Sequence, residues 1–77
     1  MRIDLADSTV LTQCVILFAV FDGDPNEWAS WLLNDGSDRQ RKDDLPFVRW
    51  LIDESCRDET FIRDLRLLVV DAERRSH

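Results

Sequence analysis

Few residues in this sequence have side chains that could perform catalysis. The only histidine is the terminal residue, His77, and chain ends are seldom held rigidly enough to serve as a general base. The two cysteines, Cys14 and Cys56, do not form a Cys-x-x-Cys pair, which is a spacing typical of zinc sites. No glycine-rich phosphate loop is present either. We therefore predict that the protein is not an enzyme, binds no metal and uses no cofactor.

Two pairs of acidic residues are the remaining candidates for a metal or acid–base site. Asp43 and Asp44 are adjacent, and Asp22 and Asp24 flank Gly23. Paired carboxylates can bind a divalent cation or act as acid and base. The second pair, however, lacks the Asp-x-Asp-x-Asp-Gly order and the terminal Glu of a calcium loop. We therefore interpret both pairs as helix caps and solvated loop residues.

Tryptophans and a charged segment are the best candidates for binding a partner. Tryptophan is enriched at binding hot spots, and the spacing of Trp28 and Trp31 places them on one helical face. Core packing is the simpler interpretation, but three tryptophans are many for one small core, so we expect one to be partly exposed. The segment from Asp35 to Asp44 carries charges of both signs and could provide specificity at a protein interface. The predicted partner-binding residues are Trp28, Trp31, Arg39, Arg41, Asp43 and Asp44.

Length and composition restrict the kind of protein and its partners. A chain of 77 residues builds a single domain, residues 1–77. Its net charge of -6 and pI near 4.5 oppose direct binding to nucleic acid or to a membrane surface. The longest apolar run is too short to span a bilayer, and the start is too acidic for a secretory signal. We predict a cytoplasmic protein with a protein partner. A disulfide between the two cysteines is possible by their number, but we predict two buried thiols instead.

The first apolar segment predicts a helix that begins near Asp7 or Ser8 and ends at about Phe21. Its apolar residues recur at helical spacing but also fill the other faces, as in a central buried helix. A buried strand from Cys14 to Phe21 stays open as an alternative, because this run is rich in β-branched and aromatic residues. A helix that is apolar on every face needs a second packing partner, so we predict a homodimer. The predicted dimer interface consists of Val10, Leu17 and Val20.

Capping residues, proline and glycine divide the rest of the chain. Asp24, Pro25 and Glu27 match an N-cap, a first helical residue and the end of a capping box. The stretch from residue 36 to residue 43 is polar throughout and predicts an exposed loop. The predicted helices run from Pro25 to about Asn34, from about Asp44 to Ser55 with Pro46 in its first turn, and onward from a cap at Asp58.

The last predicted helix has the clearest amphipathic pattern, and Leu67 and Val70 fall outside its apolar stripe. Two ion pairs at i, i+4 spacing, Glu59 with Arg63 and Asp71 with Arg75, are expected on its surface. The four helices together predict an all-α fold, a compact bundle in a single domain. The residues of the predicted apolar stripe are Phe61, Ile62, Leu65, Leu68, Val69 and Ala72.

A pattern of aromatic, charged and proline residues extends from Trp28 to Phe61. It consists of Trp28, Trp31-Leu32, Arg41, Asp43-Asp44, Pro46, Val48, Leu51, Asp58 and Phe61. This order resembles the small bacterial YozE-type, SAM-like helical domains, in which an aromatic residue precedes Trp-Leu, Arg, Asp-Asp, Pro-Val-Gly and Leu-Ala. In this chain Phe47-Val48-Arg49 replaces the Pro-Val-Gly step. The resemblance implies an all-helical fold and provides no catalytic residues.

These observations favour a non-enzymatic protein-protein interaction module, encoded by a bacterium or a phage. Its binding surface is expected to be an aromatic patch in acidic surroundings. The alternative is a small acidic inhibitor or immunity-type protein, a nucleic-acid mimic that blocks a basic site on a nuclease or defence complex. Salt separates the two, because binding by a mimic weakens steeply as salt rises, whereas aromatic anchoring tolerates salt.

Overall fold

The computed structural model describes residues 3–75, which form four helices and no strand. The helices are α1 (Ser8–Phe21), α2 (Pro25–Asn34), α3 (Asp38–Arg57) and α4 (Phe61–Arg75). They pack as a bundle measuring 34 × 27 × 22 Å, in which α2 and α3 make the most extensive contact. The predicted all-α fold is confirmed. The run from Cys14 to Phe21 is helical, so the strand alternative is wrong.

Aspartates fix both ends of α1. The Asp7 carboxylate accepts a hydrogen bond from the Thr9 amide at 2.9 Å, which satisfies one of the unpaired N–H groups at the helix start. At the other end, Asp22 and Gly23 have left-handed backbones with φ of 53° and 77°. The Gly23 amide donates to the Leu17 carbonyl at 2.9 Å. This geometry ends the helix where the sequence predicts. Aspartate is one of the few residues other than glycine that adopt a left-handed φ, and at position 23 glycine adopts it without strain.

The start of α2 follows the predicted capping pattern. The Asp24 carboxylate accepts hydrogen bonds from the amides of Asn26 at 3.0 Å and Glu27 at 3.3 Å. Pro25 is the first helical residue, a position where its missing N–H costs nothing. The predicted bounds of this helix, Pro25 and Asn34, are confirmed.

The predicted loop over residues 36–43 is mostly helical, so that prediction is wrong. A capping box starts α3 at Asp38: the Gln40 amide donates to the Ser37 hydroxyl at 3.1 Å, and the Ser37 amide donates to the Gln40 side chain at 2.8 Å. Polar residues after such a cap can form backbone hydrogen bonds while their side chains stay in water. Pro46, predicted in a first turn, consequently lies inside a longer helix.

All four helices contribute to one apolar core. In the described part of the chain no polar or charged residue is buried, so hydrophobic burial dominates the packing. The buried core residues are Cys14, Leu17 and Phe21 of α1, Trp28 and Leu32 of α2, Phe47, Val48 and Leu51 of α3, and Leu65 and Val69 of α4.

Aromatic rings form a continuous chain of contacts through this core. Phe21 stacks on Trp28 with ring centroids 5.5 Å apart, and Trp28 meets Phe47 edge-on at 6.4 Å. Phe47 contacts Trp50 at 6.0 Å, and Trp50 meets Phe61 edge-on at 5.7 Å. Such pairs contribute about 0.5 to 1.5 kcal/mol each beyond the area they bury. Because the rings belong to successive helices, they connect all four.

The surroundings of α1 differ from the prediction of a central helix buried on every face. Cys14 and Leu17 have no exposed surface, whereas the Val20 side chain is 66% exposed and Ala19 is also exposed. The prediction is wrong because three other helices cover only one side of α1. The apolar residues of α1 that are half-buried and pack against the edge of the core are Val10, Leu11, Val15, Ile16 and Phe18.

The buried side of α4 is narrower than predicted. Leu65 and Val69 are buried, but Leu68 is 56% exposed and Leu67 is 66% exposed. Around a helix axis, the residue three positions later points roughly 60° to one side of the first residue. The residue four positions later points roughly 40° to the other side. The core therefore contacts the side between Leu65 and Val69, and the prediction that Leu68 belongs to the buried stripe is wrong.

This exposure predicts different costs for two leucines of the same helix. We expect Leu65→Ala to lower the free energy of unfolding by about 2 to 5 kcal/mol, because it leaves a cavity in the core. We expect Leu68→Ala to cost less than about 1 kcal/mol, as at most exposed positions. Urea unfolding followed by circular dichroism measures both. Equal losses at the two positions would contradict the helix orientation described here.

One of the two predicted ion pairs of the last helix is present. Asp71 and Arg75 form an ion pair. Arg63 pairs with Asp64 at 3.3 Å and not with Glu59, because Glu59 precedes the first turn of α4. All of these side chains are more than half exposed where they pair, so the pairs contribute little to stability.

The two thiols lie in different environments. Cys14 is buried in the core, and burial raises the pKa of its thiol to about 11. Cys56, near the end of α3, is exposed, and both cysteines are free. The prediction of two buried thiols is therefore wrong for Cys56, because that part of α3 faces solvent.

Candidate functional site

The two tryptophans predicted to bind a partner have different positions. Trp28 is 2% exposed and lies between Phe21 and Phe47 in the chain of aromatic contacts. It cannot touch a partner unless the core opens, so this prediction is wrong. Trp31 is 38% exposed, with its ring 6.2 Å from that of Phe21. The sequence leads us to expect one partly exposed tryptophan, and the structure has two, Trp31 and the half-buried Trp50.

The two predicted arginines also differ in role. Arg41 donates hydrogen bonds to the carbonyls of Leu32 at 3.1 Å and Gly36 at 2.5 Å, and it pairs with Asp38. These bonds join the end of α2 to the start of α3, so Arg41 is a structural residue at this corner. The Arg39 side chain is 92% exposed and lies 3.7 Å from Asp43. Of these two arginines, Arg39 is the one whose guanidinium lies on an open surface.

The predicted acidic pair faces α1. Asp44 accepts a hydrogen bond from the Gln13 side chain at 3.3 Å, which links α3 to α1. Asp43 and Asp44 line a groove with residues of α1 from Ser8 to Ile16. No three His, Cys, Asp or Glu side chains within residues 3–75 form a group that could hold a metal ion.

The predicted dimer interface is not a single surface. Leu17 has no exposed area, so its assignment to an interface is wrong: its side chain fills the core of one chain. Val10 is half-buried, and Val20 is 66% exposed. A dimer through these three residues together is therefore ruled out, while the homodimer itself stays a prediction.

A concavity that combines aromatic and acidic residues lies where α3, α4 and the segment before α1 meet. Its volume is about 470 Å³. Trp50 and Phe61 form one wall through their edge-on contact, buried Leu65 forms the floor and exposed Leu68 lies at the edge. We call this concavity the Trp50 groove. Its lining residues are Ile3, Leu5, Trp50, Asp58, Phe61, Asp64, Leu65 and Leu68.

Two carboxylates form the polar part of the Trp50 groove. The Asp58 carboxylate accepts hydrogen bonds from the Thr60 hydroxyl at 2.7 Å and from the Thr60 amide at 2.9 Å. These bonds lower the pKa of Asp58 because they favour its charged form. Asp64 lies 3.3 Å from Arg63 and 3.4 Å from the Thr60 hydroxyl. The groove is therefore apolar inside and negatively charged at its edge.

Sequence reasoning did not assign the Trp50 groove. Trp50 and Phe61 belong to different helices, and their rings meet where the turn at Asp58 lets α4 pack against α3. Asp58 was interpreted as a helix cap, and it does receive the Thr60 amide at this turn. The available signal was the short connection between the third and fourth helices, which turns the start of α4, with Phe61, back toward α3.

Comparisons with known proteins give no match. No family model, curated protein or solved structure matches this chain. The resemblance to YozE-type domains therefore stays a prediction. No helix within residues 3–75 has the length and apolar character needed to cross a membrane.

Proposed function

We propose that the protein is a non-enzymatic interaction module that binds a partner protein through the Trp50 groove. The supporting observation is the groove itself, an exposed aromatic and aliphatic concavity edged by two carboxylates. This is the predicted combination of an aromatic patch with acidic surroundings, formed by Trp50 and Phe61 instead of Trp28 and Trp31.

The apolar lining selects the side chains that can bind. Leu68 is 56% exposed beside the half-buried rings of Trp50 and Phe61. Covering this surface with an apolar side chain gains roughly 25 cal/mol for each Å² removed from water. Aromatic residues in such positions are typical of binding hot spots. The partner segment therefore presents a large apolar residue, such as Leu, Met, Phe or Trp.

The acidic edge adds a requirement for positive charge. The hydrogen bonds from Thr60 favour the charged form of Asp58 and lower its pKa, and Asp64, which also pairs with Arg63, is an exposed acid on the same edge. The net charge of -6 also attracts a basic partner during the encounter. The partner segment accordingly carries Lys or Arg close to its apolar residue.

A peptide-display selection against the purified protein tests this function. We expect wild-type protein to enrich peptides that combine a large apolar residue with Lys or Arg. Leu68→Ser, which removes apolar surface from the groove, should abolish that enrichment. Asp58→Asn and Asp64→Asn should remove the preference for Lys and Arg but keep the preference for apolar residues.

Leu67→Ser is the matched control, because Leu67 is 66% exposed, is adjacent in sequence to Leu68 and does not line the Trp50 groove. It should enrich the same peptides as the wild type. Loss of enrichment in both serine variants, or in neither, would contradict binding at the groove. Peptides without an apolar residue would contradict the proposed partner chemistry.

The acidic inhibitor is the second candidate function, and the net charge of -6 supports it. Its carboxylates would have to replace phosphates along a continuous strip. The acids at the start of α3 are interleaved with bases instead, because Asp38 pairs with Arg41 and Asp43 lies 3.7 Å from Arg39. This arrangement favours the interaction module. An affinity for the partner that falls steeply with salt would favour the inhibitor.

A further inference from the structure

A second concavity runs between α1 and α4 and has no role in the proposed function. Its volume is about 300 Å³. Val15, Phe18 and Ala19 line it on α1, and Val69 and Val70 line it on α4. Val70 is 41% exposed and Ala19 is exposed as well. We call it the α1–α4 groove.

Residues of opposite charge mark the two ends of this groove. Arg66 and Glu73 both line it, and their seven-residue separation corresponds to about 10 Å along the helix. The Arg66 guanidinium carbon lies 5.9 Å from the centre of the Phe18 ring, so a cation–π contact holds the positive charge over the apolar lining. The groove therefore presents positive charge, apolar surface and negative charge in that order.

We propose that a second copy of this chain occupies the α1–α4 groove and forms a two-fold symmetric homodimer. In such an interface the same surface is used by both subunits and must be complementary to itself. If the two α4 helices cross antiparallel between Val69 and Val70, Arg66 lies opposite the partner's Glu73. Glu73 then lies opposite the partner's Arg66, and the exposed Val70 side chains lie near the axis.

The sequence of charges along the groove favours a second copy over an unrelated protein. A groove with one sign of charge would repel its own copy, whereas this groove is lined by one basic and one acidic side chain, Arg66 and Glu73. Glu73 also interacts within its own chain, and a carboxylate has enough acceptor positions to bond a second group. The proposal is independent of the Trp50 groove, which is lined by other residues.

This interface replaces the one predicted from Val10, Leu17 and Val20. None of these three residues lines the α1–α4 groove. The apolar residues of α1 that the groove exposes are Val15, Phe18 and Ala19, which lie on a different side of the helix. The net charge of -6 opposes the dimer only weakly at physiological salt, where charges are screened over about 8 Å.

The dimer is tested by exchanging the charges of Arg66 and Glu73 and measuring the mass of each variant by light scattering or sedimentation in reducing buffer. We expect wild-type protein to have twice the monomer mass of 9.1 kDa. Arg66→Glu and Glu73→Arg should each weaken the dimer about tenfold or more, because each places like charges opposite one another. The double variant with both changes should recover the dimer, since it restores both pairs with reversed sign.

Arg49→Glu is the control for the change in net charge, because Arg49 is exposed on α3, away from the groove, and should leave the dimer intact. Far-UV circular dichroism verifies that every variant is folded. A wild-type mass near 9.1 kDa at all concentrations would overturn the proposal. It would also be overturned if the single variants stay dimeric, if the double variant stays monomeric, or if the control dissociates.

Discussion

Trp28→Ala is expected to unfold most of the protein at room temperature. Trp28 is 2% exposed and joins Phe21 of α1 to Phe47 of α3 in the aromatic chain. Removing a buried tryptophan costs about 3 to 5 kcal/mol. A single core in a chain this small provides a similar amount, about 3 to 5 kcal/mol. Thermal unfolding followed by circular dichroism measures the loss.

Trp31→Ala is the matched control for this prediction, because Trp31 is in the same helix and is 38% exposed. It should lower the free energy of unfolding by about 1 kcal/mol and leave a cooperative transition. A folded Trp28→Ala protein with a transition like that of Trp31→Ala would show that the aromatic chain contributes little to stability.

Leu17→Asp is expected to unfold the protein at neutral pH. Leu17 has no exposed surface, and no buried polar residue is available in the described core to pair with a carboxylate. An isolated buried charge is strongly unfavourable, and burial raises the pKa of the acid in the folded state. The loss in free energy of unfolding is therefore largest at pH values above this raised pKa. It decreases as pH falls toward the unfolded pKa of about 3.9.

Val20→Asp separates this effect from a general effect of charge in α1. Val20 is 66% exposed, so the new carboxylate stays in water. Its cost should be a few tenths of a kcal/mol, about what a negative charge near a helix C-terminus produces. Unfolding by urea at neutral and acidic pH measures both variants. Equal stability of the two would mean that Leu17 is not in the core.

Helix boundaries set by local hydrogen bonds could be predicted from the sequence. Asp7, Asp24 and Pro25 identify the starts of α1 and α2, because a cap acts on amides only two or three residues away. The capping box of Ser37 and Gln40 is an equally local signal. It was missed because the polar composition after it was interpreted as a loop.

The orientation of the helices could not be predicted in the same way. Whether Leu68 or Val69 is buried depends on where α1 and α3 lie beside α4, and no local pattern contains that information. The burial of Trp28 and the exposure of Trp31 depend equally on the packing of α2 against α3. The Trp50 groove was missed for the same reason, since it joins residues of separate helices with the segment before α1.

The placement of the two thiols allows the folded protein to form one intermolecular disulfide bond. Cys56 is exposed on α3, whereas Cys14 is enclosed in the core. Oxidation of the folded chain can therefore join two copies through Cys56 and then has no second accessible thiol with which to continue. Oxidation of the folded protein would therefore produce disulfide-linked dimers and no larger disulfide-linked oligomers. The disulfide of such a pair joins the two α3 helices, so this covalent dimer differs from the dimer proposed at the α1–α4 groove.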